Sequence, residues 1–546
     1  MIACRFLLAS LHMDAILGEV TIRQRRKKLE EMARGNGLGD AYTGTLTRIK
    51  MQEGYKSLLG LKALMWVLYS ERPLRAEELC HALGVEIGSI DQDHENIAGL
   101  WTILSSSLGL LKVEGSSSTV RLVHFTLQEH LLSDPTLFSS PHSTISEVCL
   151  TYLNFGCVTD LSPTRLSAPL TLPLLEYASC YWGNHTRKEM TENVKILALR
   201  LLNGFDGHIS VQLMLLRYSQ DSNSGPYFNG TRGPRGFTGL HTVAFFGIVA
   251  AVAPVLEMKE WDVNATDGLG STAIAWAAWN GHEGVVKELL ECEGINPDHS
   301  DARYGRTAFS LAAGSGHEGI VKMLLAREDV DPDRADTKYG RTPLSWAAER
   351  GHEEVVKMLL ERDDVNPDLV DSMYGRTPSS WAAESGYEGV VKIFLERTNA
   401  YTGIPGSNNQ PPPSLALPGG HDRVVKIISE RDNANSGTPA PDSHALPTLT
   451  SGHGGTYISQ KHLHHNSFST DIADPGGQPT VPSVDPGVLK PVFDYKDSVS
   501  GSRDRVISLT EPSSLPPPPS IYVGLEKPVA NWAKHTGAGK EESLGS

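Results

Sequence analysis

The chain has 546 residues, of which 40% are hydrophobic and 21% charged, and a formal net charge of −15. This length exceeds a single hydrophobic core and implies two to four folded units. Six cysteines (Cys4, Cys80, Cys149, Cys157, Cys180, Cys292) lack paired spacing, which argues for a reducing compartment and against a zinc site or a disulfide framework.

In chain order, Met1 to Leu17 is apolar but carries Arg5 within the run and His12 and Asp14 near its end, so it reads as a core helix and not a secretory signal. The cationic run Arg23 to Lys28 sits beside Glu30 and Glu31 and reads as the solvated face of a helix, not a nuclear-import signal. Residues 58–132 form an α/β unit. Gly60 to Tyr69 has helical apolar spacing, and Pro73 is expected to open a second helix with Leu74, Leu79 and Leu83 on one side. A third helix is expected over Ile97 to Leu108. Two β-prone runs follow, Leu110 to Val113 and Val120 to Phe125, joined by Gly115-Ser116-Ser117-Ser118. Three helices and a terminal hairpin make a winged-helix pattern. The third-helix region carries Asp91, Asp93 and Glu95 on its approach and no Arg or Lys through Leu111, so this unit is expected to be structural and not to bind DNA.

Further along, a phrase returns every 35 residues: Tyr304-Gly-Arg-Thr-Ala, Tyr339-Gly-Arg-Thr-Pro, Tyr374-Gly-Arg-Thr-Pro. Each copy continues into a pair of alanines, then Gly-His or Gly-Tyr, then an apolar run such as Val355 to Leu360. Such a period means stacked supersecondary units and not one closed core. Thr342 is placed to cap a helix that begins at Pro343, and Gly351 to end it in the left-handed region before a second helix. Asn296-Pro297-Asp298, Asp331-Pro332-Asp333 and Asn366-Pro367-Asp368 are turn chemistry. Four copies begin at Thr272, Thr307, Thr342 and Thr377. A looser one begins at Thr238, and a degenerate one keeps Pro412, Gly420-His421 and Val424 to Ile428. Thr242 to Leu256, apolar for 15 residues, is too short to span a bilayer and falls in repeat register. From residue 433 onward, Pro, Gly, Ser, Asn and His dominate, and a disordered tail is expected.

Thr342-Pro343-Leu344-Ser345-Trp346-Ala347-Ala348-Glu349-Arg350-Gly351-His352 resembles the ankyrin repeat. The signature histidine is replaced by Ala275, Ser310, Ser345 and Ser380, a departure that touches local hydrogen bonding and not the fold. Glu71 to Leu83, followed by Arg121 to Leu131, resembles the winged-helix domain of fungal NACHT–ankyrin proteins, a domain labelled after GPI inositol-deacylase. Phe6 to Met13 and Tyr42 to Ile49 resemble the helices that end the NACHT module, and Leu174 to His185 resembles the helical stretch leading to the repeats. The resemblance implies a mainly α-helical protein: a helical remnant (1–57), a winged helix (58–132), a helical linker (133–235), an ankyrin-repeat solenoid (236–432) and the tail (433–546). It also implies kinship with signal-transducing NTPases of the STAND type.

The chain departs from that family at its centre. It has no Gly-x-x-x-x-Gly-Lys-Ser/Thr loop to wrap phosphates, and Thr536 to Glu541 puts an acid where the magnesium-binding hydroxyl belongs. The Gly-x-Ser-x-Gly elbow that lipase chemistry needs is missing too. The expected protein is therefore an intracellular, cytoplasmic, non-enzymatic interaction protein with no catalytic residue, cofactor or metal. His453, His462, His464 and His465 lack a fixed geometry for an ion. The alternative is a fragment of a STAND NTPase whose P-loop lies in missing upstream sequence.

Between Glu257 and Arg397 stand 27 acidic against 15 basic side chains, a balance of −12, which favours a protein partner over nucleic acid. Trp276, Trp346 and Trp381, with Leu311 in the remaining copy, are read as core. Positions that vary within the strict repeat are free for recognition. These are Trp279, Asn280, Glu349, Arg350 and Glu384 on the concave face, and His299, Arg303, Arg334, Lys338, Leu369 and Met373 at the hairpin tips.

Overall fold

The computed structural model describes residues 20–33, 37–161, 171–221, 235–258, 262–397 and 421–436, with positions 9, 13, 16 and 17 before them. Met1 to Leu17 otherwise lies outside the described residues. So do Pro412, Thr536 to Glu541, the tail histidines and nearly all of the tail, although the last described helix runs to Ser436, past the expected start of the tail at residue 433. None of the helices among the described residues is long and apolar enough to cross a membrane.

Helices α1 (Ile22–Ala33), α2 (Leu38–Lys50) and α3 (Tyr55–Tyr69) lead into the winged helix. Helix α3 is apolar along most of its length and buries Leu59, Ala63, Leu64, Met65 and Trp66. The second helix does not open at Pro73. Leu74–Arg75 instead forms a short strand, β1, and α4 (Ala76–Gly84) starts after it. Two constraints move the boundary. Leu74 pairs with Val120 in the sheet, and Glu78 reaches back to accept the Arg75 N–H at 2.8 Å, which fixes the first turn. Glu78 is fully buried beneath a two-pronged contact from Arg72 (2.8 and 2.9 Å). Burial opposes both charges, but the pairing outweighs it and holds Glu78 below and Arg72 above its ordinary value.

Helix α5 (Leu100–Ser106) and strands β2 (Leu111–Glu114) and β3 (Thr119–Leu122) complete the unit, with antiparallel strand order β1-β3-β2. The expected strand over Val120 to Phe125 ends at Leu122, because His124 caps helix α6 (Phe125–Leu132). Gly60 lets α3 meet the end of α5, since a Cβ there would lie 2.4 Å from the Ser106 carbonyl oxygen.

The linker is helical: α7 (Pro141–Leu153), α8 (Gly156–Thr159), α9 (Leu175–Lys188), α10 (Glu192–Asn203) and α11 (Ile209–Asp221). Helices α7 and α9 pack along each other, joined by a buried Ser146–Thr186 hydroxyl contact of 2.6 Å.

Five helix pairs follow among the described residues: α12 (Gly239–Phe246) with α13 (Val252–Met258), α14 (Ala273–Asn280) with α15 (Glu283–Leu290), α16 (Ala308–Ser315) with α17 (Glu318–Leu325), α18 (Pro343–Arg350) with α19 (Glu353–Leu360), and α20 (Pro378–Ser385) with α21 (Glu388–Arg397). A sixth second-type helix, α22 (Asp422–Ser436), stacks on α21. Thr242 to Leu256 is divided between α12 and α13, as repeat register requires. First helices pack on first helices through Ala277, Ala278, Ala312, Ala313, Ala347, Ala348, Ala382 and Ala383, all fully buried.

Each first helix ends in a left-handed glycine (Gly247, Gly281, Gly316, Gly351, Gly386; φ 74–79°). The aromatic residue after the next unit's glycine covers it: His282 over Gly247, His317 over Gly281, His352 over Gly316, Tyr387 over Gly351 and His421 over Gly386. His282, His317 and His352 also bond through Nε2 to the preceding unit's carbonyls of Phe245, Trp279 and Gly314, at 3.0–3.1 Å. Thus the Gly-His pair both ends a helix and clasps one unit to the next.

A candidate partner-recognition face on the repeat array

Among the described residues, each hairpin between units is organised by one buried aspartate. Asp301, Asp336 and Asp371 take two backbone N–H groups on Oδ1: those of Arg303 and Tyr304, Lys338 and Tyr339, and Met373 and Tyr374. Asp267 does the same for Leu269 and Ser271. The second carboxylate oxygen accepts the indole N–H of Trp276 (2.9 Å, from Asp267), Trp346 (3.0 Å, from Asp336) or Trp381 (2.8 Å, from Asp371). Where Leu311 replaces the tryptophan, Asp301 Oδ2 faces Arg306 Nε at 3.5 Å instead. The tryptophans therefore pack in the stack and also anchor the loops, a role their apolar register did not reveal.

The serines in place of the signature histidine close the helix starts. Ser310, Ser345 and Ser380 give their N–H to the capping Thr307, Thr342 and Thr377. Ala275 has no hydroxyl for that unit, and the buried Thr272 Oγ1 has no partner. His241, the one histidine in signature position, bonds to Thr238 and reaches the Ser271 carbonyl of the following unit at 3.1 Å.

Held by these loops, the arginines of the repeated phrase lie on aromatic rings. Arg306 sits between Trp279 (5.1 Å to the ring centre) and Tyr304 (4.6 Å). Arg341 lies 3.7 Å over Trp381 and 4.7 Å from Trp346, and Arg376 lies 4.6 Å from Trp381 and 4.9 Å from Tyr374. Tyr304 and Tyr339 are stacked at 6.4 Å, with the Lys338 ammonium 4.6 Å from the first ring and 5.0 Å from the second. Cation–π contacts of this kind each contribute about 0.5–2 kcal/mol, more where water is excluded.

Carboxylates punctuate the strip. Arg341 bonds Glu349 at 2.7 Å, and Arg376 pairs with Glu384. The matching position for Arg306 is Gly314, so that arginine has no glutamate on its own first helix. Burial, with Arg350 nearby, pushes Arg306 down to about 10. Burial raises Glu384, against the pull of Arg376.

The positions expected to bind a partner fall into two groups. Trp279, Arg303, Lys338, Glu349, Arg350 and Glu384 belong to the strip, with Arg303 5.0 Å from Tyr304 and Arg350 5.7 Å from Trp346. The others stand apart from it. Asn280 accepts from the linker's Tyr218 hydroxyl at 3.5 Å, and Arg334 bonds Asp298 of the preceding tip at 2.6 Å. His299 and Leu369 are half-buried in their turns, and Met373 is exposed. Sequence reasoning missed Arg306, Arg341, Arg376 and their tyrosines, because constancy within the repeat marked them as scaffold. A signal was present: a Gly-Thr turn and cap do not need an arginine between them.

The cleft beside Tyr218, Trp276, Trp279 and Leu311 encloses about 10 Å³, far below the few hundred Å³ of a small-molecule site. Of the strip, Lys338 and Tyr374 are exposed and Arg376 is half-buried, whereas Arg306, Arg341 and Trp381 are buried.

Comparison with known families agrees with this geometry. Residues 240–336, 293–371 and 309–405 match the family model for ankyrin repeats, in three copies, and residues 48–144 match that for the GPI inositol-deacylase winged helix domain. A search of curated proteins finds no match. The chain is mainly α-helical, with a winged-helix domain of the GPI inositol-deacylase type followed by an ankyrin-repeat solenoid, an architecture that supports a role in protein interaction.

Proposed function

We propose that this protein is a non-enzymatic scaffold or sensor that recognises a protein partner along the arginine–aromatic strip. The supporting observation is the outer edge of the strip, where exposed Lys338 and Tyr374 and half-buried Arg376 stand on the buried Arg306, Arg341 and Trp381, since arginine and aromatic residues are the side chains that dominate interface energetics. Arg376 and Lys338 remain partly or largely open to solvent, so their faces are available to a partner. Cytoplasmic placement and the lack of catalysis are parts of the same reading.

The test compares partners cross-linked to the full chain with those of a Lys338→Ala/Arg376→Ala variant of unchanged circular dichroism. A partner held by the strip loses about tenfold or more in affinity in the variant. Identical capture by both chains sinks the reading.

A second reading rests on the resemblance of Glu71 to Leu83 and Arg121 to Leu131 to fungal NACHT–ankyrin proteins: these residues are the sensing part of a STAND-type switch whose nucleotide site lies in upstream sequence. Mapping the 5′ end of the transcript tests it, because an upstream P-loop in frame supports the switch. Micromolar nucleotide binding by the chain as it stands would contradict the non-enzymatic reading.

A further inference from the structure

Outside the repeat face, three potential metal ligands meet where the winged helix touches the linker. Glu71 follows α3, His142 lies in the first turn of α7 and His185 in the last turn of α9. One ligand atom from each falls within 4.8 Å of the others. The Nδ1 atoms of His142 and His185 face each other at 2.8 Å, and His185 is fully buried.

The surroundings fix these rings. His185 Nε2 is 2.9 Å from the Tyr177 hydroxyl, which also accepts the Glu71 N–H at 3.1 Å. Tyr69 packs edge-on to His142 at 5.4 Å. Tyr177 fixes the outer nitrogen of His185, and only one of the two facing Nδ1 atoms can carry a proton between them. The Lys188 ammonium bonds Glu71 Oε1 at 2.6 Å.

We propose that Glu71, His142 and His185 form a two-histidine, one-carboxylate site for a divalent first-row metal ion, of which zinc fits the donor set best. Two imidazole nitrogens and a carboxylate are the borderline N and O donors zinc takes, leaving one position for water. A zinc–nitrogen bond of about 2.0–2.1 Å in tetrahedral geometry needs the two nitrogens roughly 3.3 Å apart, so the rings need part by only about 0.5 Å. Tyr177 supplies the outer hydrogen bond that orients a metal-bound histidine. Glu71 also lines a cavity of about 340 Å³ shared with β3 and α6. Lys188 is the competitor: it neutralises Glu71 without the ion and must release it for binding.

The experiment titrates the chelator-stripped full chain with zinc chloride, read by calorimetry and by competition with a chromophoric chelator. Cobalt(II) absorption serves as a second readout. To separate this site from the tail, the triple variant H462A/H464A/H465A is run in parallel. The proposal expects one equivalent bound at micromolar affinity or tighter in both chains, with the intense visible bands of four-coordinate cobalt. It expects a loss of at least tenfold in His142→Ala and Glu71→Gln, and a gain of several-fold in Lys188→Met. If His142→Ala misfolds, Glu71→Gln and Lys188→Met still decide, because they act in opposite directions. No binding at about 100 µM zinc, loss of binding in the triple variant, or equal affinity in Glu71→Gln and Lys188→Met overturns the site.

Discussion

At the residue scale the array depends on its loop aspartates. Asp371 serves the N–H groups of Met373 and Tyr374 and the Trp381 indole, and Asp371→Ala leaves all three donors without that acceptor. Each buried donor left unmet costs about 1–3 kcal/mol, partly relieved where water reaches the loop. Urea unfolding is expected to show a loss of about 2–4 kcal/mol, whereas an effect below about 1 kcal/mol would mean the aspartate is incidental. Thr342 and Gly351 were legible as cap and stop because each acts within its own turn. Asp371 was not, because its indole partner stands ten residues away and the two meet only once the loop folds back.

At the scale of elements, the clasp between units makes the array acid-sensitive. His282 gives its Nε2–H to the Phe245 carbonyl and presents Nδ1 to Arg187 at 3.3 Å. Burial is the main cause that pushes its value to about 4 from an ordinary 6.5; the Phe245 carbonyl opposes it and Arg187 adds to it. Because the folded value is the lower one, the folded state binds fewer protons between these limits. The stability His282 contributes is thus complete above about pH 6.5 and is lost as the pH falls towards about 4. His282→Tyr, which copies the array's own Tyr387, removes this titration. Urea midpoints measured between about pH 7 and about pH 4.5 should fall less steeply in the variant, with part of the slope kept by His185, His208 and His352, which burial also lowers. Element boundaries were the less legible part. The proline signal at Pro73 pointed to a helix start, but the pairing of Leu74 with Val120, distant in sequence, claimed the next residues for a strand.

For the molecule as a whole, winged helix, linker and array share one continuous hydrophobic core. A close joint lies between α9 and the first repeat. Trp182 is fully buried against Phe246 (5.2 Å), and a Cβ on Gly183 would fall 2.1 Å from the Phe246 ring. Gly183→Ala gains helix propensity of up to about 1 kcal/mol but overpacks this contact by about 1–3 kcal/mol. Hydrogen exchange is expected to quicken in both α9 and α12 while the winged-helix sheet keeps its protection. Quickening confined to α9 would show that linker and array open independently. The order of units was readable because repeats and helices announce themselves locally, whereas this joint depends on one glycine meeting one phenylalanine 63 positions later.

That joint also has a mechanical consequence. The first helices α12 to α20 are four neighbour spacings apart, roughly 32–40 Å at about 8–10 Å each. With the base locked to the linker, the array is a pointer: tilting its root by about 5° sweeps the far tip by roughly 3 Å, the width of a hydrogen bond, over a lever of that length. A small rotation of the linker would therefore re-aim the arginine–aromatic edge without altering a single contact within it.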